Sequence, residues 1–317
     1  MPSLRVGVVG VGHLGYHHAR IYASLPDVTL AGVVDTSDER GRKASLDFGV
    51  PRYAAVQELL EAGIDAASVA VPTSAHHQVA SALLDAGVHV LVEKPITTNL
   101  RDAADLVNRA SDSGVNLQVG HIERFNGAVI ALFDAIRKPR FIECHRLSPY
   151  PNRSDDVSVV LDLMIHDLDI VRALDGTAVV SVDAVGVPVF SAQEDIANAR
   201  LRMRSGCVAN LTSSRVSMER MRKIRIFEAD AYVSTDYSEQ EVMVYRKKSG
   251  PLPEGMTPME MISVEPLAVQ HDEPLKLELA SFVESVRARR RPVVSGEDGL
   301  AALQLAQQIV DRIRQSA

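Results

Sequence analysis

The sequence predicts an α/β protein in two parts. Residues 1–122 read as a doubly wound parallel sheet, and residues 123–317 as an α+β domain with a large, mostly antiparallel sheet. Three observations carry this. An apolar run, Leu4 to Val9, leads straight into the glycine pattern Gly10-Val11-Gly12-His13-Leu14-Gly15. Up to about residue 120, apolar runs of strand length alternate with helical patterns, which implies parallel strands joined by right-handed crossovers. Beyond about Gly127, long segments repeat with period two, the signature of half-buried antiparallel strands.

The three glycines have separate duties. Gly10 permits a tight turn, Gly12 lets the backbone approach a pyrophosphate with no Cβ in the way, and Gly15 lets the next helix close on the strand. His13 and Leu14 open that helix, whose free N–H groups and partial positive charge suit phosphates. A second apolar strand, Val28 to Val34, ends at Asp35, about 20–25 positions after the first glycine, where a Rossmann dinucleotide site needs an acid for a ribose 2′-hydroxyl. A carboxylate there repels a 2′-phosphate. The expected cofactor is NAD, with NADP less favoured; Arg40 and Arg42 close by weaken that preference. The alternative is a strand–helix turn and a strand-end acid that bind nothing.

The remaining elements follow in order. Asp38 to Phe48 and Val56 to Ala62 are helical in pattern, with Gly63 as a C-cap. Ala66 to Val71 is a buried strand ending at Pro72-Thr73. Ala75 to Ala86 is a helix closed by Gly87, and Val88 to Val92 is the next strand. Asn99 caps a helix running to about Ser113, and Val115 to Val119 is a further strand. Ligands of such sheets lie at the carboxyl ends of the strands. That rule nominates Gly10–Gly15, Pro72 to His76, Glu93-Lys94-Pro95 and Gly120-His121. In the second part, Ala128 to Ile136 is helical, Arg140 to Leu147 a strand, and Val157 to Leu174 helical in spacing. Ala197, Ala199, Leu201 and Met203 alternate with Asn198, Arg200, Arg202 and Arg204. Cys207 to Val216, Lys223 to Phe227, Tyr232 to Thr235 and Glu241 to Lys247 read as further strands, and Lys248 to Pro266 as a loop. Leu275 to Arg289 and Gly299 to Ile313 are amphipathic helices able to pack back on the first domain.

Composition narrows the function classes. The formal net charge is -7, so no basic surface points to nucleic acid. No apolar stretch is long enough to span a bilayer, and no charged segment precedes a long apolar one at the start, so a cytoplasmic protein with no membrane partner is expected. The two cysteines, Cys144 and Cys207, are far apart in strand-like segments and read as buried free thiols.

The glycine pattern, the strand-end Glu93-Lys94-Pro95 and Asp162-x-x-x-His166 together resemble the glucose–fructose oxidoreductase/inositol dehydrogenase (Gfo/Idh/MocA) family along essentially the whole chain. The resemblance implies an N-terminal Rossmann domain, a C-terminal domain with a large open sheet used for dimers or tetramers, and catalytic roles for Lys94, Asp162 and His166. His17-His18-Ala19-Arg20, the run Gly120-His121-Ile122-Glu123-Arg124-Phe125-Asn126, and Leu161 to Asp167 resemble the branch that oxidises C3 of UDP-N-acetylglucosamine, a step feeding lipid A synthesis. Gly127 departs from that branch, where Pro is usual.

The chemistry stands on the residues as well. Oxidising a secondary alcohol needs a hydride acceptor and a place for the hydroxyl proton. At i,i+4 on a helix, Asp162 and His166 share one side, and the carboxylate orients the imidazole and raises its basicity. Lys94 at a strand end would stabilise the forming alkoxide. His166 as base with Lys94 as electrostatic partner is preferred, and the reverse is the alternative. The expected site is an interdomain cleft. Its cofactor-binding set is Gly10, Gly12, His13, Leu14, Gly15, Asp35, Pro72, Thr73, His76, Glu93, Lys94 and His121. Arg124, Asn126, Arg146, Arg153 and Arg215 are candidates for a nucleotide-linked sugar, its diphosphate needing cations. Against these readings stand a plain surface lysine at 94, a cap network around His166, solvated arginines, another nucleotide sugar or a free polyol as substrate, and a non-catalytic dinucleotide sensor. No spacing resembles a closed metal site, and no metal is expected.

Overall fold

A computed structural model describes residues 3–150 and 157–316. The chain divides into two compact units, residues 1–122 with 273–303, and residues 123–272 with 304–317. In the first, β1 (Leu4–Val9), β2 (Val28–Val34), β3 (Arg52–Tyr53), β4 (Ala66–Val69), β5 (His89–Glu93) and β6 (Leu117–Gly120) form one all-parallel sheet. The strand order is β3-β2-β1-β4-β5-β6. The order reverses between β1 and β4, and ligands of such sheets bind outside the carboxyl ends at that point. Helices α1 (His13–Ser24), α2 (Asp38–Phe48), α3 (Val56–Glu61), α4 (Thr73–Asp85) and α5 (Leu100–Ser113) make the crossovers. Their ends obey local chemistry: Ser37 and Asn99 accept the backbone N–H of Arg40 and Asp102, and Gly49 and Gly114 close α2 and α5 in the left-handed conformation.

The second unit begins with α6 (Gly127–Ala135). Its sheet comprises β7 (Phe141–Leu147), β8 (Val179–Val187), β9 (Ile196–Met203), β10 (Val208–Ser214), β11 (Met221–Phe227), β12 (Ala231–Asp236), β13 (Glu241–Lys247) and β14 (Ile262–Pro266). They lie in the order β14-β13-β12-β11-β7-β10-β9-β8. Only β10 and β7 run parallel; the other neighbours are antiparallel. One face buries Ala197, Ala199, Leu201, Met203, Leu211, Ile224 and Ile226. The other carries a row of rings from Phe141 through Phe227 and Tyr232 to Tyr245, with successive centroids 5.7, 4.7 and 5.0 Å apart.

Helix α7 (Ile165–Asp175) is preceded by a π-helical turn over Val160–Met164. Plain α-helical spacing was expected through this stretch. The wider turn breaks the 3.6-residue rhythm at Asp162, so Asp162 and His166 are not an ordinary i,i+4 pair. Such insertions recur at functional sites. Three strands went unanticipated. β3 has two residues. β8 carries valines on both faces and Gly186 within it, which blurs its alternation. β14 is an edge strand ending in Pro266, inside a stretch that its prolines and glycines marked as loop.

Two helices complete the chain, α8 (Pro274–Arg287) and α9 (Gly296–Ser316). The apolar stripe Leu275, Leu279, Phe282, Val283 and Val286 of α8 joins the core formed by Val6, Val8, Ile21, Tyr22, Leu30 and Val33. Each such large side chain contributes about 1.5–3 kcal/mol when fully buried. Gly299 of α9 lies so close to β6 that a Cβ would stand 2.4 Å from a Val119 methyl.

Candidate functional site

The turn after β1 does what its glycines require. Gly10 has φ +85°, and a Cβ there would meet the Ala70 carbonyl at 2.6 Å. A Cβ on Gly15 would stand 1.7 Å from the Gly10 carbonyl oxygen, so helix and turn close only over glycine. Gly12 is the N-cap of α1, has no side chain to cap it, and has nothing within 4 Å of where a Cβ would lie. The helix N-terminus therefore presents bare backbone to open space, which fits a dinucleotide pyrophosphate. Asp35, at the end of β2, is buried and faces this turn. Its carboxylate accepts the N–H of Val11 at 2.8 Å and of Ser37 at 2.7 Å, and Arg40 reaches it at 3.1 Å. Burial alone would raise its pKa, but Arg40 and the two backbone donors hold it below the usual carboxylate value. It is a carboxylate at neutral pH, fit to receive a ribose hydroxyl. Leu14 is 45% exposed, and the His13 ring stands edge-on to His17 at 5.3 Å.

Lys94 follows β5 on the same carboxyl edge of the sheet, and the Lys94–Pro95 peptide is cis. Two buried histidines organise its surroundings. His18, on α1, donates from Nε2 to Glu93 Oε1 at 3.0 Å, and Glu93 Oε2 receives the Lys94 backbone N–H at 3.3 Å. Burial pushes the Glu93 pKa up, but the His18 hydrogen bond and the charges of His18 and Lys94 overcome it and leave a carboxylate. His76, in the first turn of α4, places its ring nitrogens 3.0 Å from the carbonyl oxygens of Val71 and Pro95. It straps the turn at Pro72-Thr73 to the peptide after Lys94. Burial lowers the His76 pKa against the pull of these carbonyls. The cofactor contact expected of it falls on a ring that is 1% exposed and lies between these two carbonyls. His121 is buried at the end of β6.

In the second unit, Asp162 occupies the π-helical turn and His166 the start of α7, where it is 9% exposed. Three of the arginines nominated for a diphosphate, Arg124, Arg146 and Arg215, stand beside carboxylates. Arg146 is buried between Asp167, at 2.8 and 3.0 Å, and Glu123, at 2.8 Å. Burial would depress its pKa, but these two carboxylates raise it well above the ordinary value. Arg215 is 1% exposed and bonds Asp195, the Val157 carbonyl and Ser191. Both are buried and paired with carboxylates of the second unit, where a diphosphate contact was expected of them. Arg124 lies 3.4 Å from Asp169 and over the Phe133 ring. Asn126 caps α6 and donates to the Tyr237 carbonyl. Arg153 lies outside the described residues. Gly127 opens α6 so near the chain that a Cβ would stand 2.2 Å from the Gln270 carbonyl oxygen, the local reason that a larger residue is absent.

Cys144 and Cys207 are buried free thiols, and burial pushes the Cys207 pKa up to about 12. Among the described residues, no three His, Cys, Asp or Glu side chains are placed to hold a metal ion, and no helix is long and apolar enough to cross a membrane. The sequence reading missed two groups that act on Glu93. His18 was indistinguishable from its neighbour His17. Glu278 of α8 is 0% exposed on the stripe between Leu275 and Phe282, and an acid at an apolar position was the available signal.

Comparison with known proteins places this architecture. The Gfo/Idh/MocA oxidoreductase-family model, an NAD-binding Rossmann fold, matches residues 4–121, and the Gfo/Idh/MocA C-terminal domain matches residues 133–233. The chain is 37% identical over 310 residues to UDP-N-acetylglucosamine 3-dehydrogenase of Acidithiobacillus ferrooxidans, covering 98% of this chain and 97% of that one. A solved structure of that enzyme superposes with a TM-score of 0.92 over 99% of both chains, at 36% identity. Myo-inositol 2-dehydrogenase of Thermotoga maritima is 28% identical, over 95% of this chain and 94% of its own. With both halves matched and the whole length shared, the chain belongs to the Gfo/Idh/MocA family of oxidoreductases.

Proposed function

We propose that the protein oxidises a secondary hydroxyl of a sugar with NAD, and that the substrate is UDP-N-acetylglucosamine, converted to its 3-keto sugar. The observation that carries the substrate is the 37% identity to an enzyme of that name across nearly the full length of both chains. NAD, when bound, supplies the hydride acceptor. The bare N-terminus of α1 receives its pyrophosphate, and the Asp35 carboxylate favours NAD over NADP. The His166 imidazole accepts the hydroxyl proton on a ring nitrogen, and Asp162 is proposed to hold that ring in its productive orientation. The Lys94 ammonium donates a hydrogen bond to the oxygen as negative charge develops there. A panel of UDP-sugars and free polyols, inositol among them, assayed for NADH formation tests the reading. Turnover of UDP-N-acetylglucosamine above the others is expected. Turnover of inositol alone moves the protein to the polyol reading, and no turnover of any member with NAD or NADP overturns both.

His166→Ala and Lys94→Ala should each lower kcat by about 10²–10⁴-fold, with little change in NAD affinity. Asp162→Ala should act more mildly. If His166→Ala keeps near-wild-type turnover while Lys94→Ala abolishes it, the proton goes to Lys94. We further propose a homodimer or homotetramer formed through the sheet face that carries the Phe141–Phe227–Tyr232–Tyr245 row, since a broad sheet face with apolar rings is commonly covered by a partner. A monomer by light scattering across a wide concentration range would contradict this.

A further inference from the structure

We propose that Glu93 and His18 are positioning residues for Lys94: the His18 imidazole holds the Glu93 carboxylate, and that carboxylate fixes the Lys94 backbone and stabilises positive charge on its side chain. The inference rests on the reading of Lys94 as the residue that meets the substrate oxygen. Its geometry is a chain of contacts from α1 to the end of β5, His18 Nε2 to Glu93 Oε1 at 3.0 Å and Lys94 N to Glu93 Oε2 at 3.3 Å. The sheet leaves room for it. A Cβ on Gly120, at the end of the neighbouring strand, would lie 2.9 Å from Glu93 Oε2. His18 is 0% exposed, and its Nδ1 has no partner among the described residues, so Glu93 is the acceptor that orients the ring.

As a fastening for α1 alone, this pair is a poor device. Burying charge is costly, and apolar residues of similar size hold a helix to a sheet at least as well. The rest of the cluster isolates one negative charge. Glu278 of α8 is 0% exposed, with neither carboxyl oxygen partnered among the described residues. Burial first, and the Glu93 charge second, raise its pKa well above the ordinary carboxylate value, which favours its neutral form. The Tyr22 hydroxyl of α1 is hydrogen-bonded to the Ser68 hydroxyl of β4 at 2.9 Å, and burial keeps the phenol neutral. His76 of α4 is held toward its neutral form by burial. Gln118 of β6 carries no charge. Of the titratable groups facing Glu93 from α1, α4, β5 and α8, His18 and Lys94 are left to answer its charge.

The test reads Lys94 directly. Reductive methylation with formaldehyde and cyanoborohydride modifies the neutral amine, so its rate at Lys94 at one fixed pH, measured by peptide mass spectrometry against the other lysines of the same digest, reports how firmly the ammonium is held. That relative rate should rise about tenfold when the neighbouring carboxylate is removed. This is expected for Glu93→Gln combined with Glu278→Gln, which stops Glu278 from ionising in place of Glu93. It is expected also for His18→Leu. His18→Gln keeps a donor near the Nε2 position and should restore the wild-type rate. In alcohol oxidation the same variants should lower kcat more than they raise KM for the alcohol. An unchanged relative rate at Lys94 in folded Glu93→Gln/Glu278→Gln protein overturns the proposal even where the wild type oxidises its alcohol. A raised rate in a protein that oxidises none sustains the positioning and refutes the role given to Lys94.

Discussion

Two clusters of buried titratable groups, one in each unit, are answered in opposite ways. In the second, each buried arginine is matched by carboxylates: Arg146 by Asp167 and Glu123, Arg215 by Asp195. Asp195 also accepts the backbone N–H groups of Val189, Phe190 and Ser191. In the first, carboxyls outnumber buried cations around β5. Glu93 has one imidazole, and Glu278 has no partner among the described residues. Arg146 and Arg215 hold the fold, because each is answered by fixed neighbours. Glu93 is left with one imidazole at the end of β5, next to the lysine to which the proposed chemistry is assigned. The arginine clusters are architecture by this measure, and the Glu93 cluster stands at the proposed site.

The largest expected effect tests the architectural side. Arg146→Ala leaves Glu123 and Asp167 buried without their cation and should cost about 3–5 kcal/mol in urea unfolding. A loss below about 1 kcal/mol would mean that the pair is not saturating, and the contrast between the units would fail. Glu278→Gln tests the other side. Folding raises the Glu278 pKa above its unfolded value, so the stability that its proton contributes is whole below the ordinary carboxylate range and declines as pH rises toward the folded value. Thermal melts should show Glu278→Gln gaining on the wild type between pH 5 and pH 8 by at most about 1.4 kcal/mol per unit. Parallel pH profiles of the two proteins would show that Glu278 is not held neutral. The acids of the second unit predict the reverse trend. Glu123 and Asp195 have lowered pKa values, so the stability they contribute is present above the carboxylate range and lost as pH falls. The smallest effect is on the cofactor. Asp35 is the saturated carboxylate of the first unit, answered by Arg40 and two backbone donors. Asp35→Ala should weaken NAD by about tenfold, roughly 1.4 kcal/mol, and narrow the gap to NADP by freeing Arg40. Equal affinity of the wild type for both cofactors would remove Asp35 as the discriminating group.

Local chemistry written in the sequence was enough for much of this. The spacing of Gly10 and Gly15 specifies a turn and a close contact, and both glycines stand in the roles their spacing implied. The caps at Asn99 and Gly114, the alternation of β9 and the parallel sheet follow from periods of 3.6 and 2 that neighbouring residues encode among themselves. What a side chain meets across the fold is not encoded that way. His18 and Glu93 lie 75 residues apart, and Arg146 and Glu123 lie 23 apart on different elements. An arginine expected at a diphosphate and one locked between two acids look the same in sequence. The π-helical turn at Val160–Met164 is likewise a product of packing, since its residues carry an ordinary helical pattern. The sequence by itself determined the two-part architecture and the glycine turn, because these rest on short-range geometry. Only the tertiary structure decided which buried charges are answered and which are not, because desolvation and pairing depend on neighbours that folding alone brings together.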